Sequence, residues 1–298
     1  MWFKNLQLYR LPKNLALTSD KLEEMLSAAT LQPCNATDPQ SIGWVAPSTG
    51  GSLVHSVNQQ WLLALGIEQK LLPSSVIKHF VQERAKAVEE SEGRRVGRKE
   101  MREMSESLTL ELLPRAFIRR RTTFGWIDPL NGWLVIDAAS PAKAEEFIEH
   151  LHKSVEGLYA SLLKTIQSPS AAMTSWVDTG EAPTGFTIDQ DIELRSAEDA
   201  VIRYARHTLE GKEIQQHIAE GKVVTRLGLT WGDRISFLLD EKHKIKRLEF
   251  LDILKEQSDS QAENEDERFD LDFTLMSGEL ARLLNDLVES LGGELEKV

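Results

Sequence analysis

The chain has 298 residues, 41% of them hydrophobic, with 35 Lys and Arg against 47 Asp and Glu, a formal net charge of −12. That length allows roughly two domains of about 150 residues, and the apolar content rules out a disordered chain. The acidic balance weighs against a nucleic-acid partner, although a total says nothing about where the charges sit.

Trp2–Leu11 reads as a strand, and its polar and apolar alternation differs from the continuous apolar stretch of a signal peptide. Thr18 or Ser19 can cap a short helix carrying Leu22, Met25, Leu26 and Ala29. Leu53–Val57 and Trp61–Ile67 form a candidate strand pair. The longest strictly apolar run, near Trp61–Leu65, is far short of the roughly 20 residues of a membrane span. Ser74 and Ser75 offer caps for a helix with Val76, Ile77, Phe80, Val81, Ala85 and Val88 at helical spacing. Gly93 and Gly97 interrupt it, and a second helix with Met101, Met104, Leu108 and Leu112 stops before Pro114. Residues 75–113 therefore read as a helical hairpin with a thin apolar stripe and a basic tip.

Residues 115–127 read as a strand, Asp128–Gly132 as a turn and Trp133–Asp137 as the return strand. Ser140 and Pro141 open a helix with Ala144, Phe147, Ile148 and Leu151. Residues 165–185, rich in Ser, Thr, Pro and Gly, mark a boundary. The second half offers strands near Gly185–Leu194 and Val201–Arg206, a short helix at Ile214 and Ile218, and a meander of Lys222–Trp231, Arg234–Leu239 and Ile245–Phe250. A polar acidic loop spans Lys255–Arg268, and Ser277 caps a final helix ending at Gly292 and Gly293. The order of elements predicts an α+β fold with largely antiparallel sheets, flanking helices and a projecting helical hairpin. The expected division is a central region of 1–74 and 125–170, an inserted hairpin and basic strand at 75–124, and a C-terminal region of 171–298 with an acidic tail.

Familiar enzyme signatures are absent: no Walker motif, G-x-S-x-G or H-E-x-x-H occurs. The single cysteine, Cys34, excludes an intrachain disulfide and a cysteine zinc cage. Neither a cofactor nor a metal is expected, and the properties together suggest a soluble, non-enzymatic intracellular protein. A nuclease using the C-terminal acids is a minor reading.

Charge is unevenly placed. Residues 252–298 hold 14 acids and 4 bases, whereas 84–121 hold 11 bases and 7 acids and 203–247 hold 10 bases and 6 acids. In 112–126, strict alternation after Pro114 would put Arg115, Phe117, Arg119, Arg121 and Thr123 on one face and Ala116, Ile118, Thr122, Phe124 and Trp126, with Arg120, on a core face. An exposed aromatic among guanidiniums suits phosphate contact and stacking, but it equally suits packing against the hairpin or another subunit. In 222–231, Val223, Thr225, Leu227, Leu229 and Trp231 form a buriable face. Lys222, Val224, Arg226, Gly228 and Thr230 form the other, which Arg234 and Arg247 can extend, with Arg203, Arg206 and His207 just upstream. A solvated face explains each island as well as a nucleic-acid site does. No base-reading helix, zinc finger or RNP pair is present, so any nucleic-acid binding would be sequence-independent and salt-sensitive.

Several segments resemble the bacterial recombination-associated RdgC family. They are WFKNL at Trp2–Leu6, QPC at Gln32–Cys34, GWV-x-P at Gly43–Pro47, LPSSVIK at Leu72–Lys78, LLPRAF at Leu112–Phe117, WID-x-x-NG at Trp126–Gly132, HI-x-x-GKVVT-x-L at His217–Leu227 and FD-x-DF-x-LM-x-GEL at Phe269–Leu280. The resemblance covers nearly the whole chain. It implies a ring-shaped homodimer around double-stranded DNA, a basic hole, an acidic exterior, restraint of the RecA recombinase, a cytoplasmic, nucleoid-associated location and no membrane partner. It implies that the hairpin forms a gate, with Phe117 and the tip arginines Arg94, Arg95 and Arg98 at the contact. It also implies that Arg206 and Lys222 face the hole, while His207 departs from the family's polar amide. The arginine-rich tip with Gly93 and Gly97 departs from a lysine-rich family helix. An acidic protein-interaction scaffold without direct DNA binding is the alternative.

Overall fold

A computed structural model describes residues 1–12, 17–209, 211–251 and 264–295. It is an α+β fold whose strand pairings are mostly antiparallel, with seven α-helices among the described residues. The chain divides into two compact units. The first comprises Met1–Leu26, Ala46–Leu63 and Thr123–Val298, and the second Ser27–Val45 and Ala64–Thr122.

In the first unit, β1 (Leu6–Arg10) lies beside β6 (Trp133–Asp137) in the register Leu6↔Asp137 to Arg10↔Trp133. β6 in turn pairs with the end of β5 (Phe117–Asp128). On its other side β1 meets β12 (Ile245–Phe250) through Leu6↔Ile245. The order continues through β11 (Ile235–Asp240), β10 (Val223–Trp231) and β8 (Phe186–Arg195) to β9 (Val201–Tyr204). The hairpin of β3 (Val54–Val57) and the start of β4 (Gln60–Leu71) turns at Asn58 and Gln59, both at positive φ, as a tight hairpin requires. The short β7 (Ser161–Leu162) pairs with β1.

Local chemistry sets several boundaries. Asp128 is buried, and its carboxylate accepts from the Leu130 and Asn131 amides and from Asn131 Nδ2, which closes the DPLNG turn. α1 (Ser19–Ser27) buries Leu22 and Leu26, and α4 (Pro141–Ser154) follows Ser140 at the cap and buries Ala144, Phe147 and Leu151. Gly125 is required under that helix, because a Cβ there would come within 2.4 Å of the Phe147 ring.

The boundary segment at 165–185 holds a helix, α5 (Pro169–Thr179). Ser168 accepts from the Ala171 amide, Pro169 starts the first turn, and Gly180 stops the helix in the left-handed region. Its Ser170 hydroxyl donates to the Val224 carbonyl, and Thr174 accepts from the Val224 amide. α6 (Lys212–Ala219) buries Ile214.

The last helix, α7 (Glu265–Ser290), begins well before Ser277. Asn264 is its cap and accepts from the Glu267 amide. Ser277 is buried in mid-helix and donates to the Phe273 carbonyl, so it is not a cap. Phe273, Met276, Leu280, Leu283, Leu284 and Leu287 form one apolar stripe that packs with Leu227, Leu229 and Phe237 in a single core. Burying such a side chain contributes about 1.5–3 kcal/mol. Residues 252–263, most of the expected acidic loop, lie outside the described residues.

In the second unit, β2 (Gln40–Val45) pairs with β4 from Gln40↔Gln69 to Val45↔Ala64, and the first half of β5 lies on the other side of β4. α2 (Ser74–Glu92) and α3 (Arg98–Leu112) are joined by residues 93–97, with Gly93 at φ 67° closing α2. The two helices are linked by Arg84 Nη2 to Glu111 Oε2 at 3.1 Å. Val81, Ala85 and Leu108 are buried, whereas Val76 and Phe80 of the expected stripe are exposed.

Candidate nucleic-acid interface

The basic island of the first unit is organised by one buried acid. Glu193 lies on β8 directly opposite Arg203 of β9 and Arg226 of β10. Arg203 Nε donates to its Oε2 at 2.6 Å, Arg226 Nη1 reaches the same oxygen at 3.1 Å, and Arg195 Nη2 stands 3.8 Å from Oε1. Thr225 Oγ1 donates to Oε1 at 3.0 Å. The Glu193 side chain is 4% exposed, whereas those of Arg203, Arg226 and Arg195 are 66%, 38% and 37% exposed. Burial pushes the Glu193 carboxyl up, but hydrogen bonds from Arg203 and Thr225 and the charges of Arg226 and Arg203 outweigh it and hold it below its ordinary range.

A β-bulge makes this convergence possible. Val224 pairs with Leu194 and Arg226 with Glu193, so Thr225 and Arg226 together oppose one residue of β8. Both side chains thereby reach Glu193. The bulge also shifts the strand's alternation: Val223 is 45% exposed and Val224 is buried, the reverse of the strict two-residue pattern. From Leu227 to Trp231 the expected core face holds, with Leu227, Leu229 and Trp231 buried.

A second irregularity, where Leu227 pairs with Ile192 and Leu229 with Ile188, carries Asp189, Gln190 and Asp191. Gly228 fits beneath it because a Cβ would lie 3.1 Å from Asp189 Cβ. Asp191 accepts from the Arg206 amide at 3.2 Å and lies 3.7 Å from Arg247 Nη1. The His207 amide donates to the Gln190 carbonyl. Arg206 is exposed in the left-handed region at φ 55°, a costly conformation for a long side chain, and is fixed there by these backbone contacts.

His207 Nδ1 lies 2.8 Å from the Thr208 carbonyl, and its Nε2 is 3.6 Å from Glu213. Lys222 is only 16% exposed, with its ammonium 2.6 Å from Glu220 and 3.2 Å from His217 Nδ1. Arg234 does not extend the basic face. Its Nη1 donates at 2.6 Å to Glu279, a buried acid of α7 that Arg282 also holds.

The second unit carries the other island. Arg115 lies in a 3-10 turn, Leu113–Arg115, and the strand begins at Phe117, so Arg115 is not on the β5 face assigned to it. Phe117 is 84% exposed and Ile118 47% exposed. Thr122 is exposed and Thr123 buried, again the reverse of the expected faces. Neither face of β5 is buried over 117–120, and the covered part starts only at Thr123. Arg119 Nη2 donates to Gln69 Oε1 at 2.9 Å. Arg120 Nε donates at 2.7 Å to Glu68, whose carboxyl the Cys34 amide and then Arg120 hold below its ordinary range against burial. Arg121 is half-buried.

At the helix connection, Arg94 Nη1 and Nη2 fork onto Glu100 at 2.8 and 3.0 Å, and its Nε donates to Glu92 at 2.7 Å. Those acids hold the guanidinium well above its ordinary pKa. Arg95 and Arg98 are exposed and form no ion pair among the described residues.

The structure thus brings Arg203 and Arg226 together, with Arg206 anchored one bulge away, and in the other unit places Phe117, Arg119 and Arg121 along β5 with Arg115 in the turn before it. Sequence reasoning missed Arg195 and Glu193. The signal available was their spacing of two on one strand, which puts both on one face. Among the described residues no three His, Cys, Asp or Glu side chains are placed to hold a metal ion, and no helix is long and apolar enough to cross a membrane.

These features define an α+β protein with basic sheet surfaces anchored on buried acids. A family model described as "Putative exonuclease, RdgC" matches residues 1–294. The chain is 54% identical over its full length, and the relative's full length, to the recombination-associated protein RdgC of Herminiimonas arsenicoxydans. It is 53% identical to that of Dechloromonas aromatica (strain RCB), with 99% of each chain covered, and 52% identical to that of Janthinobacterium sp. (strain Marseille), with 100% of each covered. The chain belongs to the RdgC family.

Proposed function

We propose that the chain binds double-stranded DNA through its phosphates without reading sequence, acts as a homodimer closed around the duplex, and restrains RecA-dependent recombination by occupying DNA. The observation that carries this reading is the row of Arg203, Arg226 and Arg195 set over a single buried carboxylate, with Arg206 beside it. Guanidiniums fixed in direction match phosphate oxygens, and the adjacent strands β8, β9 and β10 present them together. The names of the relatives support a place in recombination. The resemblance of LLPRAF, residues 112–117, supports a role for Phe117 where protomers meet or where DNA is held, and Arg95 and Arg98 are the tip arginines left available for that contact.

The reading contains no catalytic step, whereas the matching family description includes the words "putative exonuclease". The alternative of an acidic scaffold would rest on the acid excess of 252–298, of which Glu265, Asp266 and Glu267, in the first turn of α7, already complement the helix dipole. Band-shift titration of the purified protein with two unrelated duplexes, with and without magnesium, tests the proposal. Similar affinity for both duplexes and intact DNA are expected. Absence of binding would leave the scaffold reading, and magnesium-dependent shortening of the duplex would establish a nuclease.

A further inference from the structure

Resting on the DNA-binding reading, we infer that Glu193 is a positioning residue, a buried anion that aims Arg195, Arg203 and Arg226 at adjacent phosphates of the duplex backbone. An acid at the centre of a phosphate-binding surface lowers the local positive charge, so its presence calls for a physical account. Its geometry supplies one. Three guanidiniums at close range repel one another and would splay without a counter-charge between them. Glu193 contacts Arg203 through Nε alone, which leaves both terminal nitrogens of that guanidinium directed elsewhere. It meets Arg226 as an ion pair through Nη1 at 3.1 Å, and the Arg226 side chain stays 38% exposed to solvent.

The anion is itself held. Thr225 Oγ1 fixes Oε1, and the bulge at 225–226 delivers Thr225 and Arg226 to the same carboxylate. Arg195 belongs to the set more loosely: its Nη2 stands 3.8 Å from Glu193, its Nη1 3.8 Å from Asp199, and its Nε is buried, so only its terminal nitrogens can turn to a phosphate. Elsewhere the buried Glu279 also gathers two arginines, but one of its partners sits on its own helix, and that acid ties β11's entry turn to α7.

The sign of the effect separates this role from simple field strength. Glu193→Gln adds one positive charge to the surface, so a Coulomb field alone predicts tighter duplex binding. Positioning predicts weaker binding, roughly tenfold, the size of one lost charge-assisted contact. Thr225→Val changes no charge and frees Oε1. Positioning predicts weakening here as well, of about threefold, whereas the field predicts no change.

The experiment is fluorescence-anisotropy titration of a labelled duplex with the full chain, its Glu193→Gln and Thr225→Val variants, and thermal melting of each. Weaker binding by both variants that remain folded supports the inference. If Glu193→Gln does not fold, Thr225→Val alone decides. Wild-type binding with variant binding equal or tighter overturns the positioning role and leaves the DNA reading intact. Failure of the wild type to bind any duplex overturns the DNA reading, and the inference falls with it.

Discussion

Arg203 and Glu193 oppose each other on adjacent strands, and the guanidinium Nε donates to the buried carboxylate at 2.6 Å. Pairing of this kind recurs across the basic surfaces: Arg120 on Glu68, Arg247 on Asp191, Lys222 on Glu220. In each case the acid lies beneath or beside the cation. A cation anchored in this way has lost rotamer freedom before any ligand arrives, which lowers the entropy cost of binding.

Arg206 and Arg94 provide a matched pair of predictions. Arg206→Ala is expected to weaken duplex binding evenly across unrelated sequences and to lower the salt slope by about 1, because the proposed function makes its exposed side chain a phosphate contact. Arg94→Ala is expected to leave the slope unchanged, because Glu92 and Glu100 engage its Nε, Nη1 and Nη2 together, whereas Arg203 gives only its Nε to Glu193. Equal effects of the two substitutions in salt-dependent titrations would show that occupation of all the guanidinium nitrogens does not govern which arginines bind.

Phe117→Ser tests the exposed aromatic. With 84% of the side chain's residue surface in solvent, the substitution should change stability by no more than about 0.5 kcal/mol. The same substitution should reduce duplex affinity severalfold. Calorimetric melting and titration on one preparation check both parts. A large loss of stability would reassign Phe117 to packing within the protomer, and unchanged binding would remove it from the interface.

His243 sets part of the acid sensitivity. Its ring is half-buried in the β11–β12 turn with Nε2 2.7 Å from Thr165 Oγ1, and its backbone is left-handed at φ 59°. Burial lowers its pKa from the ordinary 6.5, with Asp240 opposing in part. A folded pKa below the unfolded one means that the fold prefers the neutral ring. Its stabilisation is complete above about 6.5 and declines as pH falls toward the folded value. The wild type should therefore lose more Tm between about pH 7.5 and 5.5 than His243→Asn, in which asparagine tolerates the same backbone. Identical pH profiles would exclude the effect; burial lowers His55 in the same direction.

Much of this architecture is legible in the residues. The Ser140-Pro141 start, the DPLNG turn and the β10–β12 meander follow from local signals, and each occurs where those signals place it. α7 was harder to read because Asp272 and Glu279 interrupt its apolar stripe. Both are buried and paired, Asp272 with the N-terminal ammonium and Glu279 with Arg234 and Arg282. A buried, neutralised acid looks in sequence like a solvated one. The same blindness hid Glu193, and the bulge at 225–226 is invisible to any argument from alternation, because one extra residue reverses the faces before it. In β5 alternation failed for a different reason: its first residues are uncovered on both sides, so the period carries no burial there.

The central claim is that these anchored arginines bind backbone phosphate. The most direct test is the duplex affinity of the purified protein over a salt series, repeated on two unrelated sequences. The account predicts that log K falls linearly with log salt, with the same slope for both duplexes, each neutralised phosphate contributing about −0.9. An affinity independent of salt, or one confined to a single sequence, would contradict it.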